Sequence, residues 1–228
     1  MSAGITERAL DAGFESGLAE RLRDLASTGA SAEWLTRFLE EAASREIRPW
    51  QVGEAIAEAV LESSHGVVLP WNPRRDERNP RASLQGADLV GISNEARGHR
   101  LVFGEVKSSS DANAPPSVLA GRTGMVQQLE QLIDDEMLRF TLIKWLSARV
   151  DEGVSGDMFD KALAAFVSTC GAAVRFVGML VRDTPADERD VSGRGRQLGA
   201  RVSEPGSVEL HVLYMPRSMA RWIDWVAA

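Results

Sequence analysis

Gly86-Ala87-Asp88-Leu89-Val90-Gly91-Ile92 and Leu101-Val102-Phe103-Gly104-Glu105-Val106-Lys107 are two apolar runs with the Val, Leu, Ile and Phe content of β-strands. The strand pattern covers Ala87–Ile92 and Arg100–Lys107. Between them, Ser93-Asn94-Glu95-Ala96-Arg97-Gly98-His99 has turn composition. Strands joined so tightly pair antiparallel. A hairpin centred between Ala96 and Arg97 opposes residues whose numbers sum to 193. Asp88 then faces Glu105 directly, with Cβ atoms about 4.5–5.5 Å apart. Glu105 and Lys107 are two apart and point to one face. Two carboxylates and an ammonium thus share an otherwise apolar strand surface.

Outward from this hairpin, the pattern on both sides is mixed. Before it, Pro49 opens a helix over roughly residues 50–63, as proline tolerates a first turn. Val67-Val68-Leu69 is a short strand closed by Pro70. After a loop from Ser108 to Pro116, a long helical region is expected from about Gly124 to Val150, and a further helix from about Met158 to Cys170. Strands follow at Ala173–Val181 and Val208–Met215. The charged, Gly- and Pro-bearing stretch between them, Arg182 to Ser207, reads as a mobile connection. Trp222 and Trp225 at i, i+3 mark a docked terminal helix. The order is helix, three strands, helices, strand, strand, helix. That predicts an α/β (α+β) core, a mixed sheet flanked by helices. Leu18, Leu22 and Leu25, then Trp34, Leu35, Phe38 and Leu39, recur at helical spacing around a break at Gly29–Ser31. Residues 1–48 therefore read as an N-terminal helical extension and residues 49–228 as the core.

The chain of 228 residues has a net charge of −7, which argues against a surface coated for unaided nucleic-acid binding. The charge is uneven, however. Residues 1–62 carry twelve acidic and six basic side chains. The loop from Asn72 to Ser83 is locally positive, with Arg74, Arg75, Arg78 and Arg81 against Asp76 and Glu77. Those four arginines are the expected phosphate contacts. A single cysteine, Cys170, rules out an internal disulfide and a Cys-rich zinc module. No secretory leader and no apolar membrane span are visible, so a cytoplasmic protein without membrane contact is expected.

Directly opposed carboxylates repel each other, and a divalent cation offsets that repulsion. Hard oxygen ligands suit Mg²⁺ or Mn²⁺, which also contact phosphate oxygens. A lysine beside such an ion can position or deprotonate a water, or stabilise developing negative charge. The bland alternative is a structural salt-bridge cluster, since any exposed strand can carry Glu-x-Lys as a solvated pair.

Asp88 on one strand and Glu105-Val106-Lys107 on the next resemble the signature of the PD-(D/E)xK nuclease superfamily, the restriction-endonuclease-like fold. Its helix, three strands, helix, strand core matches residues 50–181 in order, apart from an extra helix. The usual proline before the first acid is Ala87 here. The wording Leu84-Gln85-Gly86-Ala87-Asp88, then Phe103 to Ser108, is similar to nuclease subunits of bacterial anti-phage systems, such as the HamA-type subunit of Hachiman. The resemblance implies a metal-dependent deoxyribonuclease. Asp88, Glu105 and the Val106 carbonyl would hold Mg²⁺ or Mn²⁺, and Lys107 would be the catalytic lysine. It also implies a glutamate from the first core helix, with Glu54 or Glu58 preferred on a face shared with Glu62. A glutamine on the helix after the lysine strand, Gln127 or Gln128, would support the site. The partners implied are DNA and a helicase or ATPase subunit, because the chain carries no Gly-x-x-x-x-Gly-Lys-Ser/Thr. Two rival readings are a non-catalytic adaptor on the same scaffold and a nuclease held inactive by its partner.

Other chemistry-bearing residues read as structural. His65, His99 and His211 are scattered and fit no ligand spacing. Cys170 ends an apolar helix and is expected in the core. Asp134-Asp135-Glu136 reads as a solvated helix face, Gly193-Arg194-Gly195-Arg196 as a flexible segment, and Trp222 and Trp225 as core or interface anchors.

Overall fold

The computed structural model describes residues 12–26, 28–43, 48–70, 86–95, 98–150 and 153–227. The chain folds as a mixed five-stranded sheet with helices on both faces. Helices α1 (Ala12–Leu25) and α2 (Gly29–Ala43) come first, followed by α3 (Pro49–His65). Strands β1 (Val67–Val68), β2 (Leu89–Glu95) and β3 (Gly98–Ser109) form an antiparallel meander. Helices α4 (Met125–Asp134), α5 (Glu136–Ser147) and α6 (Val154–Ser168) lead to β4 (Val174–Arg182), which lies parallel to β3. Helix α7 (Ser192–Gly199) then leads to β5 (Ser207–Tyr214), parallel to β4, and α8 (Trp222–Ala227) closes the chain. Strand order follows chain order, β1 to β5.

The pleat divides the core in two. Leu101, Phe103, Val174 and Phe176 project to one face and pack with Met125, Leu129, Leu132, Leu142, Leu146 and Phe159 from α4, α5 and α6. Val102, Val106, Val177, Met179 and Val181 project to the other and pack with Val52, Ala55, Ile56 and Leu61 of α3 and with Trp222. β4 is buried along its whole length. A fully covered strand in a parallel pair reads as the unbroken apolar run seen at residues 176–181. Gly178 allows α4 to sit close on the sheet. A Cβ there would lie 2.8 Å from Met125 Sδ and 2.5 Å from Leu210 Cδ2.

The hairpin register agrees with the expectation. Leu89 pairs with Gly104, Val90 with Phe103 and Ile92 with Leu101, all summing to 193. The strands are longer than the composition suggests, because pairing runs on to Glu95 and Gly98 and leaves only Ala96 and Arg97 between. Ladder hydrogen bonds override the polar character of Ser93, Asn94 and His99.

Three expectations need correction. The helical region from Gly124 to Val150 is two helices, broken at Asp135, which is in extended backbone and accepts a hydrogen bond from the Leu138 N–H at 2.9 Å. Asp135 is therefore a helix cap and Asp134 pairs with Arg201 at 2.6 Å, while all three residues of the triplet stay exposed, as expected of a solvated face. Between Arg182 and Ser207 the chain forms a 3₁₀ turn (Glu188–Asp190) and α7, which includes Gly193 to Arg196. Arg182 is buried and anchors that segment through Asp190, which is also fully buried. Cys170 is exposed, not core; it sits at φ 52 just past α6, where the chain reverses through Gly171. Trp222 is fully buried and its indole N–H donates to the Arg217 carbonyl at 2.9 Å, in keeping with an anchor.

The four loop arginines, Arg74, Arg75, Arg78 and Arg81, lie outside the described residues. No described helix is long and apolar enough to cross a membrane.

Candidate metal centre

The site forms where β3 outruns β2. The β2–β3 ladder ends at Leu89 and Gly104. Asp88 sits in a bend one residue before β2, and its N–H donates to the Gly104 carbonyl at 3.0 Å. This places its side chain over the next stretch of β3. Asp88 Oδ2 accepts a hydrogen bond from the Val106 N–H at 2.9 Å. The carboxylate thus takes the place of the strand that has ended, satisfying a backbone donor that would otherwise be left open. The N–H and C=O of one strand residue point to the same edge. The Val106 carbonyl therefore also looks toward Asp88, beyond the last ladder pair.

Glu105 lies in the same row as Gly178 and Leu210, on the face covered by α4 to α6. It is only 2% exposed. Lys107, two residues on and half-buried, brings Nζ to 2.5 Å from Glu105 Oε1. Burial raises the Glu105 carboxyl to about pKa 8, and the charge of Asp88 adds to the rise; Lys107 opposes it. At neutral pH and without a cation, Glu105 therefore holds a proton most of the time.

This donor set fits a hard divalent cation. Two carboxylates that push each other toward protonation are held together by the backbone, and a dication in place of the Glu105 proton would relieve that conflict. The Val106 carbonyl faces the same space. The structure brings Asp88, Glu105 and Lys107 together as the spacing predicts, with the Val106 N–H bonded to Asp88.

It does not bring in the α3 glutamates. α3 covers the opposite face of the sheet, running antiparallel to β3 so that Gly53 lies against Ser108. Glu58 is fully buried in that layer, and Glu54 and Glu62 are half-buried. Among the described residues, no third carboxylate joins Asp88 and Glu105 within 4.8 Å.

The two glutamines are placed differently. Gln127 is exposed on the outer side of α4. Gln128 shares the inner face with Met125, Leu129 and Leu132, the face that lies over Gly178 and hence beside Glu105. Its Oε1 is buried and accepts no hydrogen bond.

A second polar cluster escaped the sequence reading. His65, expected to be isolated like the other histidines, meets His211 with ring centroids 4.5 Å apart. Glu209 lies between them and Arg175. Only His211 and Glu209, two apart on one strand, gave a local signal. His65 reaches them through the packing of α3.

No protein-family model matches the chain, and no curated protein matches it.

Proposed function

We propose that this protein is a metal-dependent nuclease of the PD-(D/E)xK type, with a restriction-endonuclease-like core, that hydrolyses DNA phosphodiester bonds. One observation carries the reading. Asp88 and Glu105 converge beside Lys107 at the open edge of β3, and Glu105 is buried so that its carboxyl stays protonated until about pH 8. A structural salt bridge needs no second carboxylate beside the first, and such clusters mark functional sites more often than chance.

Asp88, Glu105 and the Val106 carbonyl would hold Mg²⁺ or Mn²⁺. When bound, such an ion makes water more acidic and polarises a phosphoryl oxygen. Lys107 is exposed enough to reach a substrate phosphate. Its ammonium positions the attacking water or stabilises charge developing on the phosphate. Asp88 is held in place by the Val106 N–H, which donates to Oδ2 at 2.9 Å. Gln128 offers an amide N–H₂ and a carbonyl oxygen from the wall above. The arginines of the 74–81 loop would contact the DNA backbone. The biological setting we infer is anti-phage defence, with a helicase or ATPase partner in the cytoplasm.

The adaptor reading has an observation of its own. Trp34 and Phe38 stack at 5.2 Å on α2 and remain about half exposed, at 56% and 47%. Surface aromatics of this kind serve protein contacts.

The test is incubation of plasmid and linear DNA with Mg²⁺ or Mn²⁺, comparing wild type with Lys107→Ala and Asp88→Ala. Cleavage by wild type, lost in both variants, is expected. Equal residual rates in all three would remove the nuclease reading and leave the adaptor.

A further inference from the structure

We propose that His65, Glu209 and His211 form a second metal site, selective for a zinc-class divalent transition ion, on the face of the sheet opposite Glu105. One ligand atom from each of the three lies within 4.8 Å of the others. His211 Nε2 and Glu209 Oε2 are 3.2 Å apart. Two ligands on a tetrahedral zinc at about 2.0–2.1 Å are separated by roughly 3.3 Å. That pair already has the spacing of one edge of a zinc tetrahedron.

The opposite-face placement follows from register. Glu105, Gly178 and Leu210 form one row across the parallel strands. Glu209 and His211 flank Leu210 and so point the other way. They meet α3, whose last residue is His65. Gly66, at φ 61, ends that helix, and the His65 carbonyl accepts a hydrogen bond from Arg175 Nη1 at 3.1 Å. The backbone of one ligand is thereby tied to the strand next to the other two.

Arg175 also orients the carboxylate. Its Nε and Nη2 donate to Glu209 Oε1 and Oε2 at 3.0 and 2.7 Å. Outer partners of this kind fix metal-ligating carboxylates in place. The guanidinium charge does not stand alone against an incoming cation, because Glu95 also pairs with it at 3.4 Å. All three ligands are half-buried, so an ion can enter from solvent. Two imidazoles and one carboxylate suit zinc-class ions rather than Mg²⁺, and leave a fourth position for water. The ion would clasp the C-terminus of α3 to the edge strand β5.

The experiment uses the full chain stripped of metal, titrated with Co²⁺ and with Zn²⁺. An Asp88→Asn/Glu105→Gln background removes the oxygen-ligand centre, so failure of that centre does not bear on this one. We expect a tetrahedral Co²⁺ d–d absorption band in both wild type and that background, saturating at one tetrahedral Co²⁺ per chain in each. His65→Gln and His211→Gln should each weaken binding by more than about 100-fold, beyond the loss typical of an outer partner. Histidine-ring NMR on wild type needs no variant. Zn²⁺ should shift the His65 and His211 signals and leave those of His99, the third histidine, in place. Absence of the cobalt band, undiminished binding in both histidine variants, or a zinc response confined to His99 would each overturn the proposal.

Discussion

Magnesium binding at Asp88 and Glu105 should depend steeply on pH in a range where an ordinary carboxylate gives no dependence. A metal ligand must be deprotonated. The Glu105 carboxyl, ordinarily half-ionised at 4.5, is raised by burial and by Asp88 to about 8. Below pH 8 an incoming Mg²⁺ has to displace a proton, so apparent affinity falls about tenfold for each unit of acidification. From pH 9 to pH 6 the expected loss is roughly 100-fold, with a plateau above about pH 8.5. At pH 7 about one proton should leave per ion bound. Isothermal titration in two buffers of different ionisation enthalpy measures both quantities together. Asp88→Asn removes the neighbouring negative charge and should shift the inflection to lower pH. An affinity that stays constant from pH 6 to 9, with no proton released, would refute the assignment of Glu105 as a buried ligand.

The same group governs the stability of the metal-free protein. Its folded pKa lies above its unfolded one, so the contribution is complete below pH 4.5 and is lost as pH rises through 8; chemical denaturation should show a decline on the order of 5 kcal/mol. Glu105→Gln should flatten that decline. Arg182 is 1% exposed and bonds Asp190 and the carbonyls of Asp111 and Asn113, so Asp190→Ala, which strands a buried guanidinium, should cost about 3–5 kcal/mol by urea titration. If Gln128 serves the site from the inner face of α4, Gln128→Ala should lower the cleavage rate by at least about tenfold while Gln127→Ala leaves it unchanged, read as initial rates at saturating Mg²⁺. Equal effects would place neither glutamine at the reaction.

What could be read in advance follows the range of the interactions. The register of β2 and β3 is local: alternation of apolar residues and a short turn set the sum of 193. The proximity of Asp88, Glu105 and Lys107 follows from that register, as does the fold class from the order of helical and strand periods. Even here the structure adds something the spacing lacks. Asp88 stands outside the ladder as a stand-in for the missing strand, with its carboxylate on the Val106 N–H.

Other features depended on contacts between segments far apart in the chain. Gln127 and Gln128 are equivalent in sequence, and only the seating of Met125 and Leu129 over Gly178 turns one inward. Asp135 breaks a helix because its side chain caps the next one, a competition that helical periodicity does not register. Glu54 and Glu58 share the helix expected to feed the site, but the pleat sends Glu105 to the other face of the sheet from that helix. His65 and His211 show no pattern together because 145 residues lie between them. They meet because α3 runs back along the sheet to where Arg175 holds its last carbonyl. Residue spacing by itself determined the hairpin and its acidic pair, since both are products of strand period and one short turn. The packing of helices on the two faces decided which further side chains stand beside that pair, because helix phase and sheet face are set by long-range burial.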